Sequence, residues 1–369
     1  MLKRIRFGVA AVIMAGLLAS SVRPARAQQA EAETGFGLQG TVSAMSAAST
    51  LLGQAPRSGS LVDGGFRLML YPTWKLNRHW NFYGAYQAVS RPYYYSEFTT
   101  QGYGVRGNLV QGYLSYSQVW KDASLQVKAG QLSSAFGSFP LHYDDRANPM
   151  IDVPLQYGYY GALATLGGLA GAEVDGTWKK WDARAQFVNS SPANPRSIFA
   201  SEQYGSWAGG VGYTIVQGLR VGASGYRGPY LDRASPFYDP VEGRPRNMPA
   251  SGIGLEADWG HGHWNVRGEW QKFTMTYGPL PTFHENTGYA EVQRELNPRW
   301  YVATRVSYLS ADYLGNLQQI EIAGGYRPGV GQIIKLSYET AHSDTTNVPD
   351  RTLAVQFVTA IHPLAFAGH

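Results

Sequence analysis

A mixed group of chemistry-bearing side chains falls between positions 131 and 167. It holds Ser133, Ser134, His142, Asp144, Asp145, Arg146 and Asp152. Three chemistries are open to such a set. A serine held by a histidine base and an orienting acid would hydrolyse esters or peptides. No recognised catalytic signature surrounds Ser133 or Ser134, so no catalytic residue is assigned and the chain is read as a non-enzyme. His142 with Asp144 and Asp145 offers ligand types for a metal, but one loop histidine beside acids is the composition of a solvated turn; neither metal nor cofactor is assigned. The third chemistry is electrostatic. Acids on a loop facing bases on a wall set up a transverse field that orients dipolar solutes and disfavours apolar ones.

What surrounds this stretch decides between them. Leu125-Gln126-Val127-Lys128-Ala129-Gly130 alternates cleanly, and alternation resumes near Leu169. A connection of that length in a compact domain is functional or disordered, and this one is too rich in Phe, Tyr, Leu and Met for disorder. It reads as a loop over 132–166 that folds into the lumen of a barrel.

Period two is the dominant signal of the chain. Trp300, Val302, Thr304, Val306 and Tyr308 alternate with Tyr301, Ala303, Arg305 and Ser307. Leu353, Val355, Phe357, Thr359 and Ile361 alternate with Ala354, Gln356, Val358 and Ala360. About sixteen strands are predicted, over 36–45, 61–75, 80–91, 105–120, 124–131, 167–178, 181–189, 206–215, 219–228, 250–260, 263–277, 286–296, 300–311, 317–327, 331–342 and 351–362. Their connections alternate short and long, the wiring of an outer-membrane barrel with tight periplasmic turns and longer external loops. Gly102-Tyr103-Gly104-Val105-Arg106-Gly107 spells GxGxxG, but a strand-like run follows it where a nucleotide fold needs a helix.

The N-terminus has the form of an export signal. Lys3, Arg4 and Arg6 precede an apolar run over 7–19, and Ala25-Arg26-Ala27 reads as the cleavage site. The domain reading is therefore a signal peptide over 1–27 and a barrel over 28–369. Removing 1–27 takes five basic residues and no acid, which lowers Lys and Arg from 31 to 26 against 26 acids. The formal charge of +5 belongs to the leader, and no argument for nucleic acid rests on it. The chain has no cysteine, so an exported protein of this sequence has no disulfide framework. Its 44 glycines and 25 tyrosines, with a mean hydropathy of −0.26, suit strands that are apolar on one face only.

Tryptophan places the greasy face. Trp74, Trp80, Trp120, Trp178, Trp181, Trp259, Trp264 and Trp300 all flank the short turns. Indole prefers the level between lipid tails and water, so these eight are read as a girdle at one membrane interface. Tyr93, Tyr94, Tyr95, Tyr157, Tyr160, Tyr226, Tyr230, Tyr277 and Tyr313 lie nearer the long loops and are the candidates for a second girdle. The fold class is all-β: a transmembrane antiparallel β-barrel with the third external loop turned inward.

This layout resembles the bacterial sixteen-stranded outer-membrane porins. The run Val127-Lys128-Ala129-Gly130-Gln131-Leu132-Ser133-Ser134-Ala135-Phe136-Gly137 resembles the strand and loop entry of the phosphate-selective porin O/P group. Trp74-Lys75-Leu76-Asn77-Arg78-His79-Trp80 and Leu296-Asn297-Pro298-Arg299-Trp300 are porin-like turns. The resemblance implies a third loop forming the constriction, a homotrimer, and a Gram-negative outer membrane with its lipid and lipopolysaccharide as surroundings. Two departures stand out. The loop carries Asp144, Asp145 and Asp152 against one Arg146, so phosphate selectivity does not carry over. The chain also ends Phe366-Ala367-Gly368-His369, which displaces the terminal aromatic such chains use for assembly.

The sequence thus points to a porin-like channel for passive diffusion of small hydrophilic solutes or ions. A barrel that anchors or exports surface polysaccharide is the alternative, and a barrel hydrolase a more distant one. Asp144, Asp145, Arg146 and Asp152 are the candidate constriction. The pleat turns Arg67, Lys128, Arg184, Arg220, Arg267, Arg305 and Lys335 inward as wall bases, and the loop acids are expected to face Arg67, Lys128, Arg184 and Arg220.

Overall fold

The computed structural model describes residues 34–54, 60–98, 104–138, 143–158, 168–191, 205–230, 249–276, 281–313, 315–344 and 349–367. The leader reading, the cleavage site, His142, Tyr160 and Tyr277 lie outside them. The strands are β1 (Gly35–Ser49), β2 (Val62–Lys75), β3 (Trp80–Arg91), β4 (Gly104–Val119), β5 (Ala123–Leu132), β6 (Leu169–Trp178), β7 (Trp181–Val188) and β8 (Ser206–Val216). They continue as β9 (Leu219–Pro229), β10 (Pro249–His261), β11 (Trp264–Met275), β12 (Phe283–Asn297), β13 (Trp300–Ala311), β14 (Gly315–Tyr326), β15 (Gln332–Ser343) and β16 (Asp350–Ala367). Each pairs antiparallel with its sequence neighbours, and β16 pairs β1 to close the barrel. Closure leaves no unpaired strand edge, which a spanning sheet in lipid cannot tolerate.

All sixteen predicted strands are present. Their ends agree within two residues except where β1 runs on to Ser49, β12 starts earlier at Phe283, and β16 runs on to Ala367. The short turns show why the boundaries are legible. In Leu76-Asn77-Arg78-His79-Trp80, the Asn77 side chain accepts from the His79 and Trp80 amides at 2.8 and 2.9 Å. Leu296-Asn297-Pro298-Arg299-Trp300 repeats the construction: Asn297 accepts from the Arg299 and Trp300 amides at 2.9 and 3.0 Å. An asparagine that satisfies backbone donors two and three residues on is a local device for reversing the chain. At Val216-Gln217-Gly218 the reversal needs φ of +88° at Gly218, and a Cβ there would run into the Gly260 carbonyl.

The two faces of the sheet are inverted relative to a water-soluble protein. Phe66, Leu114, Ile253, Leu255, Val302, Ile322, Leu336 and Leu353 are exposed on the outer face. Arg67, Arg305, Lys335, Glu291, Glu321 and Gln356 are buried on the inner one. An apolar band of this extent is not stable against water; against lipid it is the ordinary outer wall of a transmembrane barrel.

The second aromatic girdle is corrected. Tyr93, Tyr95, Tyr226 and Tyr230 are buried, and Tyr94 and Tyr157 are partly buried in the same interior clusters. Of that group, among the described residues, only Tyr313 is well exposed, at 73%. Position near a long loop is shared by rings at the lipid interface and rings inside the barrel mouth. For Tyr226 the pleat decides, because it has the same parity on β9 as Arg220 and Ser224.

Candidate functional site

The wall charges owe their positions to register. Opposite residues on neighbouring antiparallel strands bring their side chains within about 5 Å. Lys128 on β5 is opposite Glu173 on β6 and bonds it at 2.8 Å, with Asp175 at 2.5 Å. Arg305 on β13 lies between Glu291 on β12 and Glu321 on β14, bonding them at 3.4 and 2.6 Å. Arg267 meets Glu291 at 3.3 Å. Arg220 holds Asp182 at 2.6 Å and Glu256 at 2.7 Å, and Arg184 lies 3.8 Å from Glu256.

These pairs change the picture of loop acids facing four wall bases. Among the described residues, only Arg67 of the four forms an ion pair with a loop acid, Asp145, at 2.9 Å. Lys128, Arg184 and Arg220 are matched by wall carboxylates. Their counterions come from the wall itself: Glu173 lies directly opposite Lys128 on the next strand, and Glu256 on β10 reaches both Arg184 and Arg220.

The connection after β5 makes contact around much of the inner wall. Its first leg passes β7, β9 and β11. Gln186 donates to the Ser133 carbonyl at 2.7 Å, the Gly137 amide donates to Ser224 at 3.3 Å, and Arg184 donates to the Gly137 carbonyl. The Ser138 amide and hydroxyl both donate to Glu269, at 3.1 and 2.6 Å. The chain then bonds to β1 and β2. Asp144 accepts from Thr41 at 3.2 Å and from Tyr71, and Asp145 accepts from Ser43 at 2.5 Å and Tyr93 at 2.9 Å. Tyr143 stacks on the Arg67 guanidinium, 3.9 Å from ring centroid to Cζ.

The next segment is held from β13, β14 and β15. The Lys335 ammonium donates to the carbonyls of Asp145, Asn148 and Met150 at 2.5, 2.8 and 3.0 Å. Tyr301 donates to the Pro149 carbonyl at 3.0 Å, and Arg305 to the Asp152 carbonyl at 2.7 Å. The Ile151 amide donates to Glu321 at 3.2 Å. On the way out, Gln156 and Tyr157 return to Glu269 at 3.0 and 2.6 Å. Glu269 therefore fastens both legs of the connection.

Burial and neighbours split the loop carboxyls. Burial raises the Asp145 carboxyl, but Arg67, Lys335 and the hydroxyls of Ser43 and Tyr93 more than offset it, leaving it below the ordinary aspartate value. Asp152 is pushed up to about 7, first by burial and then by the nearby Glu321 carboxylate. Arg146 stands apart: its amide donates to Asp144 at 2.8 Å, while its guanidinium forms no bond among the described residues.

Between this connection and β1–β5 lies a cavity of about 1040 Å³. Tyr71, Tyr83, Tyr113, Tyr143, Lys128, Asp144 and Arg146 contribute to its lining, and it reaches the turn end at Val330 and Gly331. Of the four loop residues singled out in the sequence, Asp144 and Arg146 face this space. Asp145 is spent on the wall through Arg67, whereas Asp152 is buried with its carbonyl bonded to Arg305 and one carboxyl oxygen without a partner among the described residues. The missed residues are Lys335, Glu269 and Tyr93 as holders of the loop. Lys335 and Glu269 carried only the weak signal of inward parity, and Tyr93 carried none. The eight turn-end tryptophans are all exposed, between 38% and 59%. Among the described residues there is no cluster of metal-ligating side chains.

No protein-family profile matches the sequence, and no curated protein does. Solved structures match at the level of fold. A loop-L8 deletion mutant of OmpT, an outer membrane protein of Vibrio cholerae, aligns with a TM-score of 0.61 at 10% identity, over 89% of this chain and 100% of its own. OprB of Pseudomonas putida aligns at 0.60 and 11%, over 89% and 94%. An anion-selective porin from Comamonas acidovorans aligns at 0.54 and 10%, over 89% and 99%. The fold is that of bacterial outer-membrane porins of several kinds, not of the phosphate-selective group in particular.

Proposed function

We propose that this protein is an outer-membrane channel for passive diffusion of small hydrophilic solutes. One observation carries the reading. The described parts of the connection over 132–166 are bonded to inward side chains on both sides of a closed barrel, and a cavity of about 1040 Å³ lies beside them. The loop narrows the bore and the cavity beside it is the aqueous path, which sets a size limit on solutes. Asp144 and Arg146 form the charged edge of the constriction, held in place by the Asp145 carboxylate on Arg67 and the Asp152 carbonyl on Arg305. Since Lys128, Arg184, Arg220, Arg267 and Arg305 are matched by wall acids, discrimination between small cations and anions is weak.

The surroundings follow from the same reading. The eight exposed tryptophans form the periplasmic-side interface girdle, and outer-membrane lipid and lipopolysaccharide cover the apolar wall. A homotrimer is the assembly that the porin likeness favours. Purified protein inserted in a planar bilayer in KCl is the test. Stable stepwise conductance supports the channel, while inserted protein with no conductance supports an anchoring role instead.

A further inference from the structure

The outer face of β9–β11 leaves the apolar pattern at its loop end. On β9 the outward row runs Val221, Ala223, Gly225 and then Arg227, and on β11 it runs Val266, Gly268, Trp270 and then Lys272. Both basic side chains are exposed, and neither has an ion pair or hydrogen bond among the described residues. Register brings them to one place. Ser251 on β10 lies between Arg227 on β9 and Thr274 on β11, and Lys272 is the next outward residue along from Thr274. Strand spacing and rise put the Arg227 and Lys272 Cα atoms about 12 Å apart.

Their height is set by the turn-end tryptophans. Lys272 is eight residues from Trp264, and Ser251 is eight from Trp259. That is about 27 Å of strand, or about 21 Å of height at a tilt of about 40°. Both bases therefore stand near the far edge of an apolar band about 25 Å tall, where a positive charge costs little and lipid head groups begin. Across β8–β12 no acid lies on the outward face; those of these strands, such as Glu256 and Glu269, have inward parity. The rim differs at β14–β15, where Asp344 is bonded by Asn316 at 2.6 Å.

Below Arg227 the wall is shallow. Gly225 is flanked by Gly209 on β8 and Ile253 on β10, and Ala223 by Val211 and Leu255. Trp207, opposite Arg227, packs on Phe187 with centroids 4.5 Å apart and forms the raised border on the β8 side.

We propose that this face docks a phosphorylated, acylated lipid of the outer leaflet: its phosphate bridges Arg227 and Lys272, and one acyl chain lies along Gly225 and Ala223. Charge-assisted bonds hold the head, and apolar contact with Ile253 and Leu255 holds the tail. The site rests on the outer-membrane surroundings and not on conduction, so a silent bilayer would overturn the channel and leave this site standing.

The test is a titration of the purified chain in detergent with diphosphoryl lipid A, phosphatidylethanolamine or inorganic phosphate, with bound molecules counted by native mass spectrometry. Lipid A should be retained, phosphatidylethanolamine about tenfold more weakly, and phosphate alone not at all. Arg227→Gln with Lys272→Gln should weaken lipid A by about thirtyfold. Gly225→Leu should weaken it by about fivefold with both charges intact; a Cβ at Gly225 meets nothing closer than the Gly252 carbonyl at 3.9 Å, so the wall accepts the change. Arg351→Gln, which removes an exposed base on the outer face of β16, should leave retention unchanged. Equal retention of lipid A by the native chain and the double variant overturns the site, as does equal binding of phosphate alone. An oligomer that the double variant loses while lipid A binds neither form overturns it too, and assigns the face to a second copy of the chain.

Discussion

The Arg67 guanidinium and the Asp145 carboxylate meet at 2.9 Å with both side chains almost wholly withdrawn from water, at 1% and 4% exposure. One belongs to the wall and the other to the connection after β5, so this ion pair fixes that connection to β2. A buried pair of this kind is costly to break by halves, because the surviving charge is left without its counterion, at about 3–5 kcal/mol. Asp145→Asn should therefore loosen the loop more than Asp144→Asn. The readout is tryptic cleavage after Arg146 in detergent-folded protein: faster for Asp145→Asn, near the native rate for Asp144→Asn. Asp144→Asn should instead shift the reversal potential, because Asp144 borders the open cavity.

Acid should release the same contact. The Asp145 carboxyl is held below its ordinary value, so its contribution is complete above the unfolded value of about 4 and is lost as pH falls through the lower, folded one. Protection of the amides around Arg146 against hydrogen exchange, with the intrinsic pH dependence divided out, should be flat from pH 5 to 6 and fall below about pH 4.

Asp152 predicts the opposite sign in a different window. Its folded value is raised to about 7 by burial and by Glu321, so the protonated form is favoured in place. Stability at this contact is full below the ordinary aspartate value and is lost as pH rises through about 7. Once the intrinsic pH dependence of exchange is divided out, protection of the amides around Ile151 and Asp152 should be lower at pH 8 than at pH 6. Asp152→Asn should remove that difference, and an unchanged difference would assign it to Glu321 or Glu339.

Glu269 takes bonds from Ser138 near the start of the connection and from Gln156 and Tyr157 near its end. Bonds to a charged acceptor are worth about 1.5–3 kcal/mol each. Glu269→Ala removes four such bonds and loosens both legs at once, and so should give noisier and larger openings than Lys335→Met, which releases the middle alone.

The strands were legible because their causes are local. Period two is written in consecutive residues, and turns such as Leu76-Asn77-Arg78-His79-Trp80 carry their own capping asparagine. The wall pairs were half legible: parity placed Arg305, Glu291 and Glu321 on one face, but register was needed to put them side by side. The loop's attachments were not legible, because they join residues far apart in the chain. Lys335 reaches Asp145 across 190 positions. Tyr93 shows the same limit from the other side: outside a strand there is no parity to say which way a ring points.

Conductance is the most direct test of the whole account. Purified, detergent-folded protein in a planar bilayer with KCl on both sides should give stable stepwise openings, and Glu269→Ala should give larger ones. Openings of unchanged size in that variant would contradict a loop that narrows the bore, and a silent bilayer with verified insertion would contradict the channel itself.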